Sequence, residues 1–109
     1  MNRILGQNSV IGTKFKLNIN MKPIDGVHLS DVEWDAIIFT DTGIKNQVIP
    51  KKEAIKVDDD NYIIVVDSSV CGAGRYYATL TAYIPDPDFS DGIRTEKRTG
   101  FTGVTIDAR

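Results

Sequence analysis

Cysteine and histidine are nearly absent from this chain, with Cys71 and His28 its only examples. A single cysteine excludes any intrachain disulfide, and with it the cross-linked framework that many small secreted domains rely on. One Cys and one His cannot supply the four or so nitrogen and sulfur ligands of a protein zinc site. They also leave one nucleophile–base pairing to consider, Cys71 with His28, and these lie far apart in sequence with His28 in a turn-like segment. No Gly-x-Ser-x-Gly motif occurs. Long apolar runs are missing too. No stretch approaches the ~18 residues of a membrane span. The start, "MNRILGQNSVIGTKF", has a basic residue but no apolar run of signal-peptide length. Cytoplasmic synthesis without a signal peptide is therefore expected, with no membrane partner. Excess positive charge is lacking as well: 13 Lys and Arg against 15 Asp and Glu give a net charge of −2. That balance argues against nucleic acid as a main partner, because phosphate binding needs a basic surface. Helical periodicity is missing throughout. "IPKKEAIKV" is the one candidate, and it is too short to stand alone.

What the chain does have is period two. In "TKFKLNINM", Phe15, Leu17, Ile19 and Met21 face one way and Lys14, Lys16, Asn18 and Asn20 the other, the mark of a half-buried strand. "DVEWDAIIFTD" sets Trp34, Ala36 and Ile38 on one face and Ile37 and Phe39 on the other, as a more central strand would. Pro23, Asp25 and Gly26 read as a turn-rich connection, and "DTG" at 41–43 as a turn. Pro50 ends or edges a strand, and Ile55 and Val57 fit a short, lysine-flanked edge strand. "NYIIVVD" reads as a compact buried strand. After a glycine-rich bend, Tyr76, Ala78, Leu80, Ala82 and Ile84 share one face of a long strand, with Tyr77, Thr79, Thr81 and Tyr83 on the other. "GIRTEKR" and "TGVTIDA" read as two further strands separated near Thr99, Gly100 and Phe101. Seven or eight short strands with turn signals every 8–12 residues or so predict an all-β, immunoglobulin-like antiparallel β-sandwich. No linker or repeat divides the 109 residues, so residues 1–109 are expected to form one domain. Trp34 is the expected core centre.

Chemistry-bearing patterns are few. The acidic groups Asp58, Asp59, Asp60 and Asp86, Asp88, Asp91 lack the spacing of a calcium loop, and acids in such turns are usually solvated. A facing carboxylate pair can always be picked from 15 acids, so a glycosidase reading gains nothing from their presence. "CGAGR" precedes a strand where a phosphate loop needs a helix, and it lacks the Lys-Ser/Thr ending. Gly72 and Gly74 are expected to permit a bend. No catalytic residue, metal ligand or cofactor is expected. Two surface features remain. Tyr77 and Tyr83, on the less buried face of one strand, could stack on sugars. Arg94, Glu96 and Arg98 form a charged stripe that either guards a strand against edge pairing or fixes register at an interface. The adjoining loop, with Pro85, Asp86, Asp88, Phe89 and Asp91, joins that stripe as the expected contact region.

Four stretches, "GTKFKLNINM", "DVEWDAIIFTD", "CGAGRYYATLTAYIPD" and "DFSDGIRTEKRTGFTGVTI", resemble small β-sandwich proteins of Bacteroidetes prophages and mobile elements. Those proteins are similar to the N-terminal immunoglobulin-like domain of phage baseplate upper proteins. The matching residues are Phe15, Leu17 and Ile19 in the first strand and Gly72, Gly74 and Tyr76 at the bend. Ile84, Pro85, Asp86, Phe89, Asp91, Gly92, Arg94, Thr95 and Glu96 follow, with Thr102, Gly103, Val104 and Ile106 at the end. The "DG.RTE" segment is the most distinctive part. The resemblance implies a non-enzymatic structural module of a tail, baseplate or fibre, hence a virion location. Its partners would be other tail or baseplate proteins, or further copies of itself. Family members usually continue beyond this domain where this sequence ends at Arg109, which implies a stand-alone subunit or an adaptor. The alternative expectation is a carbohydrate-binding or adhesive sandwich.

Overall fold

The computed structural model describes residues 8–10, 12–21, 27–43 and 45–107. The turn expected at Pro23, Asp25 and Gly26 lies outside the described residues. Eight strands are described: Asn8–Val10 (β1), Lys14–Asn20 (β2), Glu33–Thr40 (β3), Gln47–Pro50 (β4), Ile55–Asp58 (β5), Asn61–Asp67 (β6), Gly74–Pro85 (β7) and Ile93–Asp107 (β8). A one-turn helix, Ser68–Cys71 (α1), joins β6 to β7, and short 3-10 turns lie at Leu29–Asp31 and Lys51–Glu53. The helix candidate "IPKKEAIKV" thus resolves into the end of β4, a single 3-10 turn and the start of β5.

The strands form two sheets. One runs β1-β8-β7-β3-β4, and the other β2-β6-β5. All pairings are antiparallel except that of β1, whose three residues run parallel to Thr105–Asp107. The order is that of an immunoglobulin-type sandwich: β2, β6 and β5 stand where strands B, E and D do, and β4, β3, β7 and β8 where C′, C, F and G do. The alternation read from sequence sets the register. Trp34, Ala36 and Ile38 of β3, and Tyr76, Leu80, Ala82 and Ile84 of β7, point inward against Ile19, Tyr62, Ile64 and Val66.

Two features replace the missing disulfide as fixed points. The Tyr76 hydroxyl, fully buried, donates to the Gly72 carbonyl at 2.5 Å, back across the corner between β6 and β7. This is the tyrosine corner of immunoglobulin-type sandwiches, and Ala78, two residues on, takes the place of the second cysteine. Ser68, also fully buried, ties the same corner to the start of β2. Its hydroxyl donates to the Thr13 carbonyl at 2.7 Å and accepts from the Gly12 amide at 2.9 Å.

The structure corrects one expectation. No break separates two strands near Thr99, Gly100 and Phe101. Those residues pair in sequence with Thr79, Ala78 and Tyr77, and β8 is continuous. The irregularity lies just beyond, where the register shifts between Arg75 and Tyr77. There the Thr102 hydroxyl donates to the Tyr76 carbonyl at 2.8 Å, and Gly103 adopts φ +86°. This bulge re-aims β8 so that Val104 and Ile106 enter the core. A Cβ on Gly103 would meet nothing within 4 Å, so its backbone angle is the sole obstacle to a side chain. Gly103→Ala should therefore cost about 1 kcal/mol, the left-handed strain less the gain from a stiffer unfolded chain. A denaturant midpoint unchanged from the parent would show that the bulge relaxes.

Candidate functional site

The outward positions of β3, β7 and β8 build a surface from three strands. Phe39 pairs with Tyr77, and Tyr77 with Phe101. The Phe39 and Tyr77 rings stack at 5.6 Å with 17° between planes, and Tyr77 meets Phe101 at 5.4 Å and 48°. Directly opposite residues on one sheet face bring aromatic rings into contact in this way. Phe101 ends the row 52% exposed. Val48 of β4, 58% exposed, shares the face through its pairing with Ile37. Farther along β7, Tyr83 donates its hydroxyl to Asp35 Oδ2 at 3.0 Å, which pushes its pKa up. Tyr77 and Tyr83 thus lie on the less buried face, as their parity requires.

The charged stripe sits differently. Arg94, Glu96 and Arg98 pair with Ile84, Ala82 and Leu80, so they lie on the inward side of β8, while Ile93, Thr95 and Lys97 face out. The Arg94 and Glu96 side chains retain only 21% and 16% exposure, against 57% for Arg98. Arg94 reaches Asp86 at 3.6 Å and Glu96 at 3.8 Å, and Arg98 reaches Glu96 at 3.7 Å. The stripe is a chain of ion pairs along the sandwich margin, open to solvent at Arg98. In the loop, Asp86 Oδ1 accepts from the Asp88 amide and Asp91 Oδ1 from the Ile93 amide. The Asp86 amide donates to the Gly92 carbonyl at 2.8 Å, closing the turn. These carboxylates shape their own loop. Pro85 and Asp88 are exposed beside them, and Phe89 presents its ring 48% exposed.

The other acidic cluster is also turn chemistry. Asp58 accepts from the Asn61 side chain and the Asp60 amide, which hold its carboxyl below the usual range. Lys56 and then Ser30 do the same for Asp59. His28 Nδ1 lies 3.1 Å from Asp60 Oδ1, and that hydrogen bond raises the imidazole pKa. Cys71 is buried in α1 against the Ile38 carbonyl, and desolvation pushes its thiol up, away from thiolate reactivity. His28 lies at the Asn61 end of β6 and Cys71 beyond its Asp67 end, so the length of the strand, roughly 20 Å, separates them. The two do not form a dyad.

Comparison with family models, with characterised proteins and with solved structures finds no match.

Sequence parity placed Tyr77 and Tyr83 on the outer face. It missed Phe39 and Phe101 as their neighbours, because strand pairing rather than spacing along the chain joins them. The available signal was Phe101 itself, a large apolar residue at outward parity in a run of Thr and Gly.

Proposed function

We propose that this chain is a non-enzymatic structural module of a phage or prophage-like tail, baseplate or fibre, docking onto neighbouring proteins through the outer face of its larger sheet. The observation that carries the docking surface is the Phe39–Tyr77–Phe101 row ending in a half-exposed ring, with exposed Val48 on the same face. Contiguous apolar surface on a small domain usually marks an interaction site, and aromatic side chains dominate such contacts. The loop Pro85–Gly92 with exposed Phe89, continued along β8 by the Arg94, Glu96 and Arg98 stripe, supplies a second contact region. The virion setting rests on the "DG.RTE" and "TGV.I" resemblance. Sugar stacking on Tyr77 and Tyr83 is the second reading, favoured by their shared outward face and by the exposure of Tyr83.

Phe101→Asp should leave the folding midpoint within about 0.5 kcal/mol, since the ring is exposed. It should weaken incorporation into density-purified particles from induced host cells by ~30-fold or more, the effect of losing an interface anchor. Quantitative mass spectrometry of the particles reads this directly. Absence of the parent chain from particles rich in other tail proteins would overturn the assembly reading. A saturable change in tyrosine fluorescence with a host glycan, lost in Tyr77→Ala, would then favour sugar binding.

A further inference from the structure

Two strand margins face each other across one open cleft. β2 is the end strand of the smaller sheet and pairs with β6 on one side alone. β8 pairs with β7 along its length, whereas β1 covers only Thr105–Asp107 of its other edge. Among the described residues, the outer edge of β2 and the edge of β8 from Ile93 to Val104 therefore have no strand partner. The cleft between them has a volume of about 590 Å³, within the range of ligand sites. Its floor is apolar: Leu17 and Ile19 from β2, Ala78 and Leu80 from β7, and Val104 from β8. Lys16 and Arg98 also line it, and no carboxylate does, in a chain of net charge −2.

We propose that this cleft accepts an extended peptide segment of a partner protein as an added strand along β2. The occupant would alternate apolar and small polar residues and carry carboxylates at its flanks. Backbone donors and acceptors on the free edge supply the pairing, and the apolar floor takes every second side chain. Lys16 and Arg98, the latter also paired with Glu96, bias the cleft toward an acidic flank. This deepens the assembly reading by naming the partner's chemistry. It rests on that reading only in taking the occupant to be protein, and of the aromatic row only Phe101 borders the cleft.

Gly100 provides the test. It lines the cleft and pairs with the inward-facing Ala78, and a Cβ there would meet nothing within 4 Å, with no left-handed backbone to resist it. Gly100→Phe should therefore fold and fill the cleft, and Gly100→Ala is its control. An array of synthetic peptides of about nine residues, varied in alternation and flanking charge, would be titrated against the whole chain by fluorescence anisotropy. Alternating, aspartate-flanked peptides should bind with Kd on the order of 10–100 μM and slow hydrogen exchange at β2 amides. Gly100→Phe should weaken them at least tenfold and Gly100→Ala little, while Lys16→Glu with Arg98→Glu should shift preference to lysine-flanked peptides. No binding at about 1 mM, or equal binding by Gly100→Phe, would overturn the proposal. So would binding that emerges only once residues 1–7 are removed, which would make the chain's own N-terminus the occupant. Self-association abolished by Gly100→Phe would assign the cleft to a second copy instead. Because Phe101 also borders the cleft, Val48→Asp, on the aromatic face and outside the cleft lining, keeps the two readings separable: it should lower particle incorporation and leave peptide binding unchanged.

Discussion

Trp34→Ala should lose about 3–5 kcal/mol of folding stability, more than any other substitution considered for this chain. The indole is 2% exposed on β3 and meets the Tyr62 ring of β6 edge-on at 5.1 Å and 75°, so it joins the two sheets where no disulfide does. A domain of this size is stable by roughly 5–15 kcal/mol, so the variant would lie close to its unfolding limit. Trp34→Phe is the informative companion. Among the described residues nothing accepts a hydrogen bond from the buried Trp34 Nε1. An unpaired buried donor carries a penalty of about 1–3 kcal/mol, and phenylalanine removes it while keeping most of the ring. Trp34→Phe should thus cost less than half of what Trp34→Ala does. Urea unfolding followed by circular dichroism would measure both, and an unchanged slope would show that the compactness of neither state has shifted. A phenylalanine variant as damaged as the alanine one would mean that Nε1 finds a partner in solution.

The strands were legible because period-two alternation survives in almost every segment. Leu17 and Ile19, Trp34 to Ile38, and Tyr76 to Ile84 point where their parity placed them. Three things were not legible, each for its own reason. The corner at Tyr76 depends on one hydroxyl reaching the Gly72 carbonyl, and the sequence shows only a tyrosine after two glycines. The bulge at Gly103 hides inside a strand whose composition, Thr and Gly, reads equally well as a loop. The stripe of Arg94 and Glu96 reads as exposed charge, because parity cannot say which face of a marginal strand looks inward. Pairing with Ile84 and Ala82 decides that, along with the intramolecular ion pairs that result. The candidate surfaces follow the same rule. Tyr77 was visible as one residue, but a surface made from three strands, or a cleft between two edges, exists only once the register is known.

Tyr76→Phe should destabilise the protein by about 1–2 kcal/mol at neutral pH and make it less sensitive to alkali than the parent. The hydroxyl is fully buried, and burial pushes its pKa up to about 12 from an ordinary value near 10. The sign follows from proton linkage. Between pH 10 and 12 the folded state retains a proton that the unfolded state releases, so stability from this group is complete below pH 10 and drains away as pH rises toward 12. The loss is on the order of 2–3 kcal/mol, two pH units of differential protonation. Phenylalanine has no proton to lose. The stability curves of parent and variant should therefore converge above pH 10 and cross before pH 12. Tyr83, whose hydroxyl Asp35 also holds protonated, titrates in both proteins and cancels from the difference. Urea midpoints at pH 7, 9, 10 and 11 would suffice to see the convergence. Parallel curves would mean that the Tyr76 hydroxyl ionises as it does in water. The corner that substitutes for the disulfide would then be open in solution, leaving Ser68, through its bond to Thr13 at the start of β2, as the remaining fixed point there.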